Sequence, residues 1–168
     1  ITSSSEDHYH IEEKGHFSGQ GSHVYNQIKD DNGNVFPDFE SLSEKWDTTS
    51  EYIALYPNVL LGVHRDHFFS IIIEPLSTHK TVEHVSLYYA KNPSEMPQLK
   101  SLIESNASFW KTVFSEDIGV VEGMQSGRSG LMFDGGKFSP VMDSATHCFH
   151  HWVATKVQEF RLKNVTNL

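Results

Sequence analysis

Apolar residues recur every three or four positions between residues 99 and 125, a spacing that predicts one long amphipathic helix. Its second half carries a stripe of five apolar residues and one carboxylate: Trp110, Val113, Phe114, Asp117, Val121 and Met124. A carboxylate among apolar side chains is costly unless a metal ion, an arginine or a helix cap meets it. Asp117 is therefore the first candidate for a functional residue. The structural alternatives are that Ser115 or Asp117 caps a second helical segment, or that Asp117 pairs with Arg128.

Upstream of this helix, runs rich in β-branched and aromatic residues predict an antiparallel meander over residues 51–64, 67–77 and 81–91. Apolar residues occupy both parities of these runs, so both faces of the sheet are expected to be covered at least in part.

The N-terminal third has a weaker pattern. Residues 1–20 are polar and predict an irregular or weakly extended entry, whereas residues 22–29 alternate enough to predict a strand. A turn is expected at residues 30–34, which centre on Asn-Gly, and a loop with one short helical turn over 35–50.

After the long helix, residues 127–136 predict a loop or hairpin that turns at Asp134-Gly135-Gly136. Ser139-Pro140 is typical of a helix start, and the last helix is expected to end near Leu162. The face that this helix buries contains Ala145, Cys148, Phe149, Trp152 and Val153. Strands followed by two helices indicate an α+β fold, and a curved sheet around a long helix would enclose a cavity.

Composition narrows the class of protein. The 168 residues suit one domain, and 12% aromatic content is ample for a core. A net charge of −9 without a basic cluster argues against nucleic-acid or anionic-membrane partners. One cysteine, Cys148, allows no internal disulfide and suits a reducing cytoplasm, and no apolar run is long enough for a membrane span. Because the first residue is Ile and no signal peptide follows, we expect a piece of a longer protein or a processed product.

Eleven histidines raise the possibility of a metal site. His8, His10 and His16 lie in the polar N-terminal stretch and are expected in an exposed loop, whereas His79 and His84 would point to opposite faces of a strand. His147 and His151 have the i, i+4 spacing of some zinc sites. They lie opposite the apolar face of their helix, which favours a solvated or interface face over a zinc hydrolase.

Residues 114–153 carry a more specific combination of motifs, FSEDIGVVEGMQSGRSGLMFDGGKFSPVMDSATHCFHHWV. An acidic residue, a short helical run with Glu and Gln-x-Gly, a Gly-rich loop, a Ser-Pro start and an aromatic-His-x-Trp helix follow in order. This segment resembles the C-terminal signature of the catalytic domain of Rieske-type ring-hydroxylating oxygenase α subunits. The branch most similar is that of the phenylpropionate, choline and carnitine oxygenases. The strand segments YPNVLLGVH (56–64) and IIIEPLSTHKT (71–81) also resemble the family, so the likeness covers nearly the whole chain.

The resemblance implies a helix-grip (START-like) fold, an antiparallel sheet around a long C-terminal helix. It also implies a mononuclear Fe(II) held by two His and one carboxylate, and the carboxylate position corresponds to Asp117. In the family the two His come from an H-x4-H helix upstream of the sheet, and a Rieske domain precedes that helix. Neither has a counterpart in this sequence, because DHYHIEEKGHF (7–17) resembles the stretch after the helix. Residues 1–168 are therefore expected to be an N-terminally truncated, C-terminal fragment of the catalytic domain.

The function implied for the complete subunit is hydroxylation of an aromatic or quaternary-ammonium substrate with O₂, as a mono- or dioxygenase in aromatic catabolism. Electrons would pass from a reductase or ferredoxin through a [2Fe–2S] cluster, and the cytoplasmic subunit would form a homotrimer. Five residues near Asp117 are expected to bind the substrate: Asn106, Trp110, Val113, Phe114 and Gln125. The chain alone, with one of three iron ligands, is expected to bind neither cofactor and to be inactive. The alternative is a non-catalytic helix-grip module that binds a small molecule or lipid.

Overall fold

Six strands and two long helices make up the fold of the computed structural model, which describes residues 8–13 and 15–165. The strands are β1 (His8–Glu13), β2 (Phe17–Ser22), β3 (Ser50–Leu55), β4 (Val59–Val63), β5 (His67–Ser77) and β6 (Lys80–Tyr89). The helices are α1 (Lys100–Arg128) and α2 (Ser144–Val165). Short 3-10 turns occupy Glu44–Asp47, Pro93–Glu95 and Pro97–Leu99.

The sheet is an antiparallel meander in which every strand pairs with its neighbour in sequence, in the order β1 to β6. Both helices lie on one face of it, called here the inner face. On this face His67, Phe69 and Ile71 of β5 are buried, as the period of two along a strand requires. The α+β prediction is confirmed, and the sheet with its long helix agrees with the helix-grip description.

The N-terminal entry was predicted to be irregular or weakly extended over residues 1–20, and residues 8–13 and 17–22 are extended, as the two strands of a regular β-hairpin. The sequence of β2, FSGQGS, has no hydrophobic alternation that would indicate a strand. Its pairing with β3 stabilises it instead, from Phe17 opposite Leu55 to Ser22 opposite Ser50. Residues 1–7 and 14 of the predicted entry lie outside the described residues.

The strand predicted over residues 22–29 is wrong, because β2 ends at Ser22 and the chain continues as a loop. The tertiary contacts of Tyr25 outweigh the local preference of this segment for a strand. Its backbone N–H donates to Thr48 O at 2.7 Å, and its ring packs on the His64 ring with centroids 4.7 Å apart. Tertiary contacts rather than a strand partner thus decide the path of this segment.

The run predicted as one strand over residues 51–64 is two strands, β3 and β4, so the predicted boundaries of the meander are wrong here. The break falls at Pro57, which has no N–H to donate to a central ladder. The predicted turn at residues 30–34 is confirmed. The Asp30 carboxylate accepts N–H bonds from Asn32 and Asn34 at 2.9 and 2.8 Å.

The two helices differ slightly from their predicted bounds. Helix α1 continues through Gly119 and Gly123 without a break. Helix α2 begins at Ser144 instead of Ser139-Pro140, because Ser139 Oγ accepts the N–H bonds of Val141 and Met142 in a separate turn. Its C-terminal bound is Val165.

The core has two parts beneath α1. The first contains Phe36, Met96, Leu99 and Leu102, and the second contains Phe69, Ile71 and Trp110. Helix α2 instead covers β1 and β2, where Ser18 Oγ donates to the carbonyl of Ala145 at 2.8 Å. Of the predicted buried face of α2, Ala145, Cys148, Phe149 and Trp152 are half-buried, whereas Val153 is exposed.

Candidate functional site

Asp117 lies in the middle of α1 with its carboxylate exposed to solvent. Because α1 is continuous on both sides of this residue, Asp117 does not cap a second helical segment. Within residues 8–13 and 15–165 it makes no hydrogen bond or ion pair, and Arg128 does not contact it. The neighbouring stripe residue Val121 is 62% exposed, so this part of the helix is not packed.

On either side of Asp117, one contact joins α1 to the sheet. At one end the Phe114 ring meets the Phe69 ring edge-on, with centroids 5.0 Å apart. At the other end Gln125 Nε2 is 3.1 Å from His79 Nδ1 at the tip of the β5–β6 hairpin. Residues on one stripe of a helix face one way, so Asp117 and Val121 are directed to the sheet between these contacts. We call this exposed stretch between the helix and the β5–β6 hairpin the α1 cleft.

The floor of the α1 cleft lies on the inner face of the β5–β6 hairpin. Val85 of β6, which pairs with Ile71, is on this face and remains 43% exposed. The cleft therefore has apolar side chains on both walls, with Asp117 on the helix wall. This combination of apolar walls and one ionisable group is typical of small-molecule sites.

The predicted substrate-binding residues separate into two groups. Phe114 and Val113 are half-buried beside the cleft and Gln125 closes its far end. Asn106 and Trp110 are buried in the packed interior, 0% and 6% exposed, and make specific bonds there. Asn106 Nδ2 donates to Tyr89 Oη at 3.2 Å, and Trp110 Nε1 donates to His67 Nε2 at 3.0 Å.

A buried polar network surrounds Trp110. Asp66, at the β4–β5 turn, has its Oδ1 2.8 Å from His67 Nδ1, and Tyr25 Oη donates to the same oxygen at 2.7 Å. Both His67 and Asp66 are fully buried. Because the Trp110 indole can only donate, His67 Nε2 is the acceptor, and the proton of a neutral His67 is on Nδ1. Hydrogen bonds with defined donors and acceptors thus link four side chains, those of Tyr25, Asp66, His67 and Trp110.

The environment of Asp66 stabilises its ionised form. Burial by itself raises the pKa of Asp66, but the hydrogen bonds from His67 and Tyr25 outweigh burial and leave this pKa below its usual range. The same carboxylate acts on Tyr25, since burial and then the charge of Asp66 raise the pKa of the phenol. At neutral pH the network therefore contains a carboxylate and a protonated phenol.

His64 lies against this network. Its ring stacks on that of His67, with centroids 4.6 Å apart and planes 11° apart. Burial, and secondarily the neighbouring His67, lowers the pKa of His64 to about 3. Three buried atoms have no hydrogen-bond partner among the described residues: His64 Nδ1, Asp66 Oδ2 and Asn106 Oδ1.

The sequence interpretation missed this network, although one signal was present. The parity of β5 puts His67 on the same face as Phe69 and Ile71, and the parity of β4 puts His64 on the same face as Leu60. Nothing local shows that Asp66 turns inward, because an Arg-Asp pair in a tight turn is usually solvated. Arg65 does turn outward, with its Nε 2.9 Å from Asp38 Oδ1.

The other histidines do not form a metal centre with Asp117. His8 and His10 are on β1, the edge strand opposite β6, and His84 pairs with Glu74 at 2.7 Å. His147 and His150 of α2 are exposed and contact the edge of Phe138, and His151 is also exposed. Across residues 8–13 and 15–165 no three His, Cys, Asp or Glu side chains are grouped so that they would hold a metal ion.

Neither helix, taken over the described residues, combines the length and apolarity needed to cross a membrane. No curated protein and no solved structure matches the chain. One family model does match, that of the ring hydroxylating alpha subunit (catalytic domain), and it covers residues 3–159. The match spans β1 to most of α2 and therefore includes the α1 cleft and the buried network. This protein belongs to the family of ring-hydroxylating α subunit catalytic domains.

Proposed function

We propose that the chain is the sheet-and-helix part of a Rieske non-haem iron oxygenase, in which Asp117 is the carboxylate ligand of a mononuclear iron. The reaction is hydroxylation of an aromatic or quaternary-ammonium compound by O₂, with electrons delivered from a [2Fe–2S] cluster. The observation that carries the proposal is the position of Asp117. Its exposed carboxylate has no partner within residues 8–13 and 15–165 and lies on the apolar stripe of α1, in a chain of the ring-hydroxylating family.

The described residues do not fit a complete iron site. Such a site needs two imidazoles and a carboxylate on one face of the metal. Here Asp117 is exposed and no second or third donor is grouped with it among residues 8–13 and 15–165. We therefore assign the two His ligands to an H-x4-H helix outside this sequence, and we expect the 168-residue chain to bind no catalytic iron and to have no oxygenase activity.

The cleft suits a largely apolar substrate. Phe114 and Val121 lie on its helix wall, and Gln125 offers an amide at its far end. Burial of a flat ring or a methylated ammonium group against such walls is driven by loss of apolar surface to water, at about 25 cal/mol per Å². An ammonium substrate would also be attracted by the Phe114 ring and the Asp117 carboxylate.

By the same proposal the complete subunit is a cytoplasmic homotrimer that accepts electrons from a reductase or ferredoxin. Trimer formation rests on family analogy, and light scattering tests it. A monomer at micromolar concentration would count against it.

Iron analysis of the complete subunit tests the role of Asp117, with Asp117→Ala compared to Glu116→Ala. Both acids are exposed on α1, but Glu116 is off the stripe. We expect Asp117→Ala to lose the mononuclear iron and hydroxylation while it keeps the absorbance of the [2Fe–2S] cluster. Glu116→Ala is expected to keep all three.

Full iron occupancy and normal turnover in Asp117→Ala would remove Asp117 from the ligand set. A wild-type subunit that binds small apolar molecules without iron or turnover would favour the non-catalytic binding module. For the 168-residue chain, anaerobic dialysis against Fe(II) is expected to leave no bound iron. Bound iron together with a loss of binding in His8→Ala, His10→Ala or His16→Ala would show that the N-terminal histidines are ligands and that the chain is not an incomplete site.

A further inference from the structure

Helix α1 is fixed on the sheet by two directional hydrogen bonds, one turn apart. Asn106 bonds Tyr89 and Trp110 bonds His67, and both helix residues are buried. Apolar contact alone is not directional and tolerates a rotation of the helix, whereas a hydrogen bond weakens steeply when its angle changes. These two bonds therefore add a directional restraint on the rotation of α1 about its own axis to the packing of Leu102 and Trp110.

We propose that the Tyr25–Asp66–His67 chain positions α1: it keeps the proton of His67 on Nδ1, leaves Nε2 free to accept from Trp110, and so determines where Asp117 points in the α1 cleft. Its consequence for function rests on the proposed role of Asp117, but the positioning is a property of this chain. His67 and Asp66 are positioning residues, because neither faces the cleft.

The tautomer is the critical link. An imidazole can carry its proton on either nitrogen, and the partner of one nitrogen decides the state of the other. The Asp66 carboxylate is an acceptor only, so it requires N–H at Nδ1. Without Asp66 the Nδ1–H loses its acceptor, and only the Trp110 N–H still disfavours the Nε2–H form. In that form two buried donors face each other, so the bond that anchors α1 is lost and the helix is free to shift.

Because α1 is one continuous helix, a rotation of the helix at Trp110 also rotates Asp117. The two residues are seven positions apart, which at 3.6 residues per turn leaves their directions within about 20° of each other. Trp110 is also the last buried residue of α1, since Leu102, Asn106 and Trp110 are the buried ones. Beyond it only the half-buried Phe114 contact and the exposed Gln125–His79 contact restrain the helix. The direction of the carboxylate thus depends on the Trp110 anchor.

The experiment is imidazole ¹⁵N NMR on the 168-residue chain, combined with a distance measurement between spin labels. Labels are attached to Glu122→Cys on α1 and Ser86→Cys on β6, both exposed, in a Cys148→Ala background. We expect wild-type His67 to be protonated on Nδ1 only. Asp66→Ala should shift the population to Nε2–H, and both Asp66→Ala and Trp110→Phe should shift or broaden the distance distribution.

His67→Gln is the conservative variant, because its amide oxygen reaches the position of Nε2 and still accepts from Trp110. It is expected to restore the wild-type distance, whereas His67→Leu is not. A wild-type His67 protonated on Nε2 overturns the proposal, and this measurement needs no variant to fold. An unchanged distance distribution in Trp110→Phe also overturns it.

Asp117→Ala separates this inference from the proposed function. It is expected to leave the His67 tautomer and the label distance as in the wild type, since Asp117 makes no contact with the network. Retention of iron by this variant in the complete subunit would contradict the proposed function alone. A wild-type distance in Trp110→Phe would contradict the positioning role alone.

Discussion

The two halves of α1 carry the same stripe of residues but have different surroundings. From residue 100 to 114 the stripe is buried or half-buried, and from 115 to 128 it is exposed, with Val121 and Met124 at 62% and 53% exposure. The sheet accounts for the difference. The inner face of β5 supplies Phe69 and Ile71 to the first half, whereas the second half faces the open floor near Val85.

This comparison shows that hydrophobic period and burial are separate properties. A period near 3.6 indicates which side of a helix is apolar, but the neighbouring elements decide whether that side is covered. A solvent-exposed apolar helix face next to a carboxylate is unusual where the helix only stabilises the fold. This exposed apolar face distinguishes the half of α1 on which we propose the site from the half that packs on the sheet.

The largest contrast is expected between Trp110→Ala and Val121→Ala. Trp110 is buried against Phe69 and His67, so its truncation should lower the free energy of unfolding by about 3–5 kcal/mol. Val121 is exposed, and its truncation should change this free energy by less than about 0.5 kcal/mol. Urea unfolding of the 168-residue chain measures both. Equal losses would mean that both halves of α1 are packed.

The next largest effect is expected from Asp66→Ala, which tests how much the buried hydrogen bonds stabilise the packing of the first half of α1. It removes the acceptor of both Tyr25 and His67, and each buried donor left unpaired costs about 1–3 kcal/mol. Asp47→Ala is the control, because Asp47 is 62% exposed in its ion pair with Arg65 and should lose about 1 kcal/mol or less. Thermal unfolding compares them, and a similar loss in both variants would remove the special role of Asp66.

A third prediction concerns pH and again separates the two halves. The folded pKa of His64 is about 3, below the value of about 6.5 in an unfolded chain, so the unfolded state binds the extra proton as the pH falls below 6.5. Stability should therefore decrease toward acid pH, by up to about 1.4 kcal/mol per pH unit.

His64→Phe keeps the stacked ring and cannot titrate, so its unfolding free energy should depend less on pH between 7 and 5. Asp117→Ala, in the exposed half, should retain the wild-type slope. Urea titrations at several pH values measure how the free energy of unfolding depends on pH. A wild-type slope in His64→Phe would show that His64 is not the group that causes this dependence.

The smallest effect is expected for Asp117→Ala itself in the 168-residue chain. The carboxylate is exposed and has no partner among the described residues, so stability should change by less than about 0.5 kcal/mol. Differential scanning calorimetry would detect a larger change. A loss above 1 kcal/mol would indicate a structural partner for Asp117 and would favour a stabilising role over ligation.

Sequence patterns predicted the fold where local periodicity and tertiary packing agree. Strands β5 and β6 and helix α1 have strong β-branched or 3.6-residue patterns, and the turn at Asp30 has its own side-chain chemistry. The patterns failed for β2, whose Ser and Gly residues are held by a strand 28 positions or more away, from Ser22 to Ser50. They also failed for residues 22–29, where Tyr25 is drawn into the interior.

For the site, the sequence stripe placed Trp110 and Asn106 in one group with Asp117, whereas the structure buries the first two in the interior and leaves Asp117 exposed. That separation depends on the shape of the β5–β6 hairpin, which no local pattern encodes. The inward orientation of the Asp66 side chain likewise cannot be predicted from the neighbouring sequence. It depends on hydrogen bonds from Tyr25, 41 positions away, and from His67.

The contact between Ser18 and Ala145 has a consequence for the order in which this chain folds. The meander places each strand beside one already made, so sheet growth can follow the order of synthesis, with short loops to close everywhere except between Ser22 of β2 and Ser50 of β3. The β1–β2 hairpin is different, because its inner face stays uncovered until α2, which follows all six strands, is made and contacts it across 127 positions. Of the six strands, the two that are made first are therefore the last to be protected from solvent, and they are exposed to aggregation or proteolysis for the longest time.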